Sequence, residues 1–142
     1  MSLSRQEKLA WLEKVPLLRH CDARVLEHVA DASGELAFSA GQAIVLQGQV
    51  GNGLYIVTSG EVRIIAGEDE LARLGPGEFF GELSVIDQQP RNATVYAVGA
   101  TACLALASWD LIALLEQEPQ LAMNLLHELA DRLRRADAQL RD

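Results

Sequence analysis

The stretch FFGELSVIDQQPRNATVYA, Phe79–Ala97, decides how the chain is read. Gly81 and Glu82 precede a short apolar run, and Pro90 and Arg91 follow it. A strand needs no such glycine, and a helix interior tolerates no proline. The spacing predicts one or two helical turns over Gly81–Ile86, fed by the glycine turn GPGEFFG (75–81). Amides at the start of such a turn lack partners and carry partial positive charge, so they can receive an anion. Arg91 follows a rigid proline, nine positions after Glu82. Its guanidinium fork matches two phosphate oxygens, where lysine offers a point charge. Phosphate repels Glu82, which leaves a hydroxyl as the partner for that carboxylate. Amides, arginine and carboxylate together describe a sugar phosphate. The plainer alternative is a Glu82–Arg91 ion pair that only closes a surface loop.

Around this stretch, from Gly34 to Ala107, short β-rich runs alternate with glycine. They are AIVLQG (43–48), LYIVTSGEVRII (54–65), LARLGPG (71–77), NATVYAV (92–98) and TACLALA (101–107). Gly41, Gly48, Gly51, Gly53, Gly60, Gly67, Gly75 and Gly77 stand where turns call for positive φ. Even spacing of short strands predicts an antiparallel β-roll, jelly-roll or barrel. Helical periodicity flanks it on both sides. Leu9, Leu12 and Val15 recur at helical spacing, Pro16 interrupts, and Asp22 is placed to cap the next helix, to about Ala32. Ser108 is placed to cap a helix through WDLIALLEQ (109–117), and Pro119 to open a second that runs to about Leu140. The expectation is one α+β domain over 1–142: helices in 1–33, roll in 34–107, two helices in 108–142.

Ala122, Leu126, Leu129, Leu133, Ala136 and Leu140 step by four and three, a heptad seam. It predicts a homodimer through the 122–140 helix, with Arg132 of one chain meeting Asp137 of the other. Leu121 and Leu125 form a second edge suited to face the roll.

Composition excludes several classes. The formal charge is −8 with a pI near 4.8, which counts against a nucleic-acid partner that needs a basic stripe. No apolar run approaches the roughly 18 residues of a membrane span, so no membrane is expected. The N-terminus lacks a signal-peptide core, and two cysteines, Cys21 and Cys103, make no disulfide framework; a reduced cytoplasmic protein is expected. His20, His28 and His127 all fall on expected helices, which counts against a metal-binding roll enzyme. Trp11 and Trp109 read as anchors between helix and roll. No residues form a catalytic constellation, so the chain is not expected to be an enzyme.

The residues Phe80-Gly81-Glu82-Leu83 and Pro90-Arg91-Asn92-Ala93-Thr94 resemble the phosphate-binding cassette of the cyclic-nucleotide-binding domain family. The upstream Gly41–Ile64, with its Gly60-x-Val62 turn, is similar to that family's first half-roll, and the similarity extends to the flanking helices. The resemblance implies a β-roll that holds cAMP or cGMP as a regulatory ligand, with no cofactor and no metal. It implies that Arg91 binds the cyclic phosphate and Glu82 takes the ribose 2′-hydroxyl. Backbone groups of Gly81, Leu83, Ser84 and Ala93 would complete the cradle. Asn92 occupies a position that helps choose between the two nucleotides. Arg135-Ala136-Asp137 stands where activator relatives carry a Thr–Ser pair that reads adenine, which leaves the base open. The implied function is a sensor that signals occupancy to an unknown protein partner through its C-terminal helices. The alternative is a ligand-free roll that serves as an interaction or dimerisation module.

Overall fold

A computed structural model describes residues 3–50 and 53–141, the side chains of Leu83, Ser84, Gln139, Leu140 and Arg141 excepted. Helix α1 (Arg5–Leu12) starts at a capping box: Ser4 Oγ accepts from the Glu7 amide at 3.1 Å, and Glu7 Oε1 from the Ser4 amide at 3.0 Å. A one-turn 3-10 helix follows over Pro16–Leu18. Helix α2 (Ala23–Ala32) is capped by Asp22, whose carboxylate accepts from the Val25 amide at 3.1 Å, as its placement predicted.

The roll is made of β1 (Gly34–Phe38), β2 (Ala43–Val45), β3 (Gly53–Ser59), β4 (Val62–Ala66), β5 (Asp69–Leu74), β6 (Phe79–Phe80), β7 (Thr94–Ala97) and β8 (Thr101–Ala107). Helix α3 (Glu82–Asp87) interrupts it between β6 and β7. Two antiparallel four-stranded sheets result, in the orders β1-β8-β3-β6 and β2-β7-β4-β5. Helices α4 (Ser108–Gln117) and α5 (Pro119–Arg141) end the chain. The α+β β-roll with flanking helices is therefore as read from the sequence.

Strand alternation places two cores on either side of the first sheet. Leu54 and Ile56 of β3, Leu104 and Leu106 of β8 and Phe79 of β6 face the helices, joining Leu12, Val29, Leu111, Leu121 and Leu125. Val57, Cys103 and Phe80 face the other way, into the roll, with Val45, Val62, Leu74 and Val95. Both faces of β3 and β8 are thus covered, so their sequences read as unbroken apolar runs. Each fully buried aliphatic side chain contributes about 1.5–3 kcal/mol, so these layers supply most of the stabilisation. Gly60 makes the tight β3–β4 turn. Its φ is +83°, and a Cβ there would lie 2.5 Å from the Ala100 carbonyl oxygen.

Several local expectations need correction. Ser108 is the first residue of α4; Ala107 occupies the cap position, with no side-chain bond. Trp109 is 70% exposed and anchors nothing, whereas Trp11 packs against the helical core. His20 sits in a turn with φ +62°, outside any helix. Gly53 and Gly75 do not adopt positive φ, and Gly51 lies outside the described residues.

Helix α5 is tied to the N-terminal segment by one buried amide. Asn124, 1% exposed, donates to the carbonyls of Leu17 at 2.8 Å and Arg19 at 2.7 Å, and accepts from Gln120 Nε2 at 2.8 Å. Leucine would fill the volume and leave two carbonyls without donors. Asn124→Leu should therefore cost about 2–4 kcal/mol, measured by urea unfolding. A cost below about 1 kcal/mol would mean that the amide is not what holds α5 there.

Candidate functional site

Between β6 and β7 the chain wraps a cleft of roughly 1050 Å³. Phe80 pairs with Tyr55 in the ladder, and their rings stack at 5.1 Å and 9°. Gly81 then turns the chain out of the strand at φ +96°. A Cβ on Gly81 would lie 2.7 Å from the Gly53 carbonyl oxygen and 3.0 Å from Arg91 Nη1, so only glycine allows this approach. Helix α3 begins at once with Glu82, one residue later than the sequence suggested, and ends at Asp87. Gln88 reverses the chain at φ +60°. Val50 and Pro90 form an antiparallel bridge, and backbone bonds of 2.8 Å join Arg91 N to Gln49 O and Gly48 N to Arg91 O. The arginine is thus fixed by backbone on both sides.

Gly81, Glu82, Arg91, Asn92 and Ala93 all border this one cleft. Leu83 and Ser84 belong to α3, with side chains outside those described. Arg91 is half-buried, and its Nη2 donates to the Gly53 carbonyl at 3.4 Å. It forms no ion pair among the described residues. Burial pushes its guanidinium pKa down, opposed by Tyr55 and Glu82. The loop-closing Glu82–Arg91 pair, the plainer reading, is absent among the described residues, because Glu82 has another partner.

That partner is Arg132 of α5, a site residue that no local sequence pattern marks. Arg132 Nη1 meets Glu82 Oε1 at 2.6 Å, and Nη2 donates to the Phe79 carbonyl at 2.6 Å. The guanidinium carbon also lies 4.3 Å from the centre of the Phe79 ring. Arg132 is therefore engaged within its own chain, which corrects its expected pairing with Asp137 of a second copy. Glu82 is 4% exposed, and burial pushes its pKa up against the opposing charge of Arg132, its own backbone bond and Arg91. Leu71 of β5 and Leu133 of α5 border the outer end of the cleft, 52% and 71% exposed. Elsewhere, burial pushes the Cys103 thiol to about 12, which makes it no nucleophile. Among the described residues, no helix is long and apolar enough to cross a membrane.

This arrangement coincides with a known family. Residues 35–118 match the model of the cyclic nucleotide-binding domain, and the chain belongs to that family. It is 44% identical over 108 residues to the cyclic AMP receptor protein of Thermus thermophilus, covering 72% of this chain and 50% of that one. A crystal structure of the Thermus thermophilus catabolite activator protein is similar with a TM-score of 0.79 and 39% identity, covering 88% of this chain and 61% of that one. The regulatory domain of Toxoplasma gondii PKA, solved with cAMP, gives 0.78 and 29% identity, covering 90% of this chain and 50% of that one. The chain spans half or less of the length of the curated relatives it matches.

The raised Glu82 pKa sets a pH dependence whose sign can be worked out. A carboxyl whose folded pKa is raised contributes most below its unfolded value, and that contribution is lost as pH rises through the folded value. Arg132→Met removes the cation that opposes the rise, so the loss becomes larger. The stability gap between wild type and Arg132→Met should widen as pH rises above the ordinary carboxylate value of about 4, read by urea unfolding at stepped pH. A gap that stays constant would show that Arg132 does not govern the ionisation of Glu82.

Proposed function

We propose that the chain is a cytoplasmic regulatory domain, 1–142, that binds cAMP or cGMP in this cleft and signals occupancy through its C-terminal helices. The observation that carries the reading is Arg91: a half-buried guanidinium with no ion pair among the described residues, beside a buried carboxylate. Arg91 would take the cyclic phosphate, and Glu82 the ribose 2′-hydroxyl. Backbone groups of Gly81, Leu83, Ser84 and Ala93 would complete the cradle, and Asn92 would face the ligand from the cassette. The names of the relatives support a regulatory ligand of this class. No reaction is proposed, since the side chains around Arg91 bind and orient rather than transform.

Signalling follows from Arg132. A ribose hydroxyl that reaches Glu82 approaches the carboxylate that also holds α5, so occupancy and helix position are linked. The output would pass to a downstream protein partner or to the rest of a longer chain, without direct contact with nucleic acid or membrane.

Arg91→Ala should weaken cyclic-nucleotide binding by at least about 2 kcal/mol, since it strips a charge-assisted pair from an enclosed phosphate. Arg91→Lys should restore only part of this. Equal affinity of wild type and Arg91→Ala by calorimetry would sink the phosphate assignment.

A homodimer through α5 belongs to the same proposal. Leu126 and Leu133 are 58% and 71% exposed on the heptad seam, whereas Leu129 packs partly against the helical core. Leu126→Asp with Leu133→Asp should halve the mass seen by light scattering and leave the fold intact, since neither residue is buried in the protomer. Identical masses for wild type and the double variant would rule out the seam.

A further inference from the structure

The backbone pairing that fixes Arg91 is interrupted at a single hydroxyl. Val45 lies opposite Val95 and Val50 opposite Pro90, so the two segments keep one register throughout. Within it Arg91 N donates to Gln49 O at 2.8 Å, a bond of a hydrogen-bonded antiparallel pair. Two positions back in the same register, Gln47 and Ala93 should exchange bonds of the same kind. They do not. Gln47 N donates instead to Thr94 Oγ1 at 2.9 Å. The Gln47 side chain is engaged as well: its Oε1 accepts from the Gly67 amide at 3.3 Å, which anchors it to the β4–β5 turn.

The other donors around the break are accounted for. Gly48, at φ +89°, gives its amide to Arg91 O at 2.8 Å, and the Gln49 amide turns back to Leu46 O at 3.3 Å. The Ala93 amide is left over. Ala93 is 6% exposed and borders the cleft, and among the described residues its N–H donates to no acceptor. A buried donor without a partner is costly, and the register offers this one the Gln47 carbonyl.

We propose that Thr94 is a positioning residue of the anion site: its hydroxyl satisfies the Gln47 amide, holds the ladder open at this step and keeps the Ala93 amide free for a phosphate oxygen. The inference rests on the cyclic-nucleotide reading of the cleft, in which Arg91 and the Ala93 amide meet the same phosphate. Threonine answers both demands of the position. Its branched Cβ suits strand β7, where its backbone lies opposite Ile65 of β4, and its Oγ accepts from a backbone donor that valine would leave unmet.

The test compares wild type, Thr94→Val and Thr94→Ser by amide hydrogen exchange, followed residue by residue with NMR, and by calorimetry with cAMP and cGMP. Valine keeps the shape and removes the acceptor, so Gln47 N should return to the Ala93 carbonyl and Ala93 N to the Gln47 carbonyl. Without ligand, the Ala93 amide should exchange at least about tenfold more slowly in Thr94→Val than in wild type, and both nucleotides should bind at least about tenfold more weakly. Thr94→Ser keeps the hydroxyl and should stay within about threefold of wild type on both readings. A variant that is merely loosened would exchange faster at Ala93, the opposite sign, and that result overturns the inference. So does equal exchange at Ala93, or equal affinity, in wild type and Thr94→Val. A wild type that binds neither nucleotide overturns the cyclic-nucleotide reading instead, and the exchange rates then decide the role of Thr94 on their own.

Discussion

A carboxylate with 4% of its surface exposed is costly to ionise unless a cation is held against it. For Glu82 that cation is Arg132, from a helix 50 residues further along the chain. The same guanidinium supplies a donor to the carbonyl of Phe79 and lies over its ring. Phe79 and Phe80 point to opposite sides of their sheet, one into each core. One arginine thus connects the buried acid of the cleft, the two-residue strand that divides the cores, and the last helix. Removing it would leave a charge without a partner in an apolar cleft, which is why α5 and the cassette hold each other in place.

The two halves of α5 are secured differently. Its first half buries Leu121 and Leu125, and Asn124 bonds it to the carbonyls before α2. Two buried leucines contribute about 1.5–3 kcal/mol each, so that half is fixed to the core. Eight residues on, roughly 12 Å along the axis, the hold passes to Arg132 and a partly buried Leu129. Beyond Arg132, Leu133 is 71% exposed. Local stability falls toward the C-terminus, and the ion pair marks where it does so. A helix gripped at one end and latched at the other by a single carboxylate is suited to respond to events at that carboxylate.

Most of the fold was legible because its signals are local. The switch from helical spacing to short glycine-bounded runs at Gly34, and back at Ser108, needs only neighbouring residues. Asp22 as a cap and Pro119 in a first turn are likewise decisions of a few positions. Phe79–Phe80 escaped as a strand, since two residues carry no period. Trp109 was misread because size and apolarity say nothing of which side of a helix a residue occupies; it lies opposite Leu111 and Leu114, the buried face. For the cleft, Gly81, Glu82 and Arg91 were marked by their spacing, whereas Asn92 and Ala93 were marked only by the family resemblance. Arg132 was not, because no local pattern tells which arginine of a helix crosses 50 residues of chain to meet an acid.

The heptad seam shows how one pattern can carry two meanings. Residues stepping by four and three lie on one stripe of α5, but the stripe bends away from a single partner. Leu129 turns partly to the chain's own core, whereas Leu126 and Leu133 remain exposed. Arg132, beside the stripe, is drawn inward by Glu82. Along the described part of this stripe, Leu129 and the neighbouring Arg132 face the domain, and Leu126 and Leu133 remain exposed. Any second copy seated on those leucines would rest on the helix whose inner side holds the buried acid. Exposed ion pairs contribute less than about 1 kcal/mol, so such a contact would depend on the leucines and on the angle at which α5 leaves the core. Arg132 ties the inner side of that helix to Glu82, which links the cleft to the helix that carries the outer stripe.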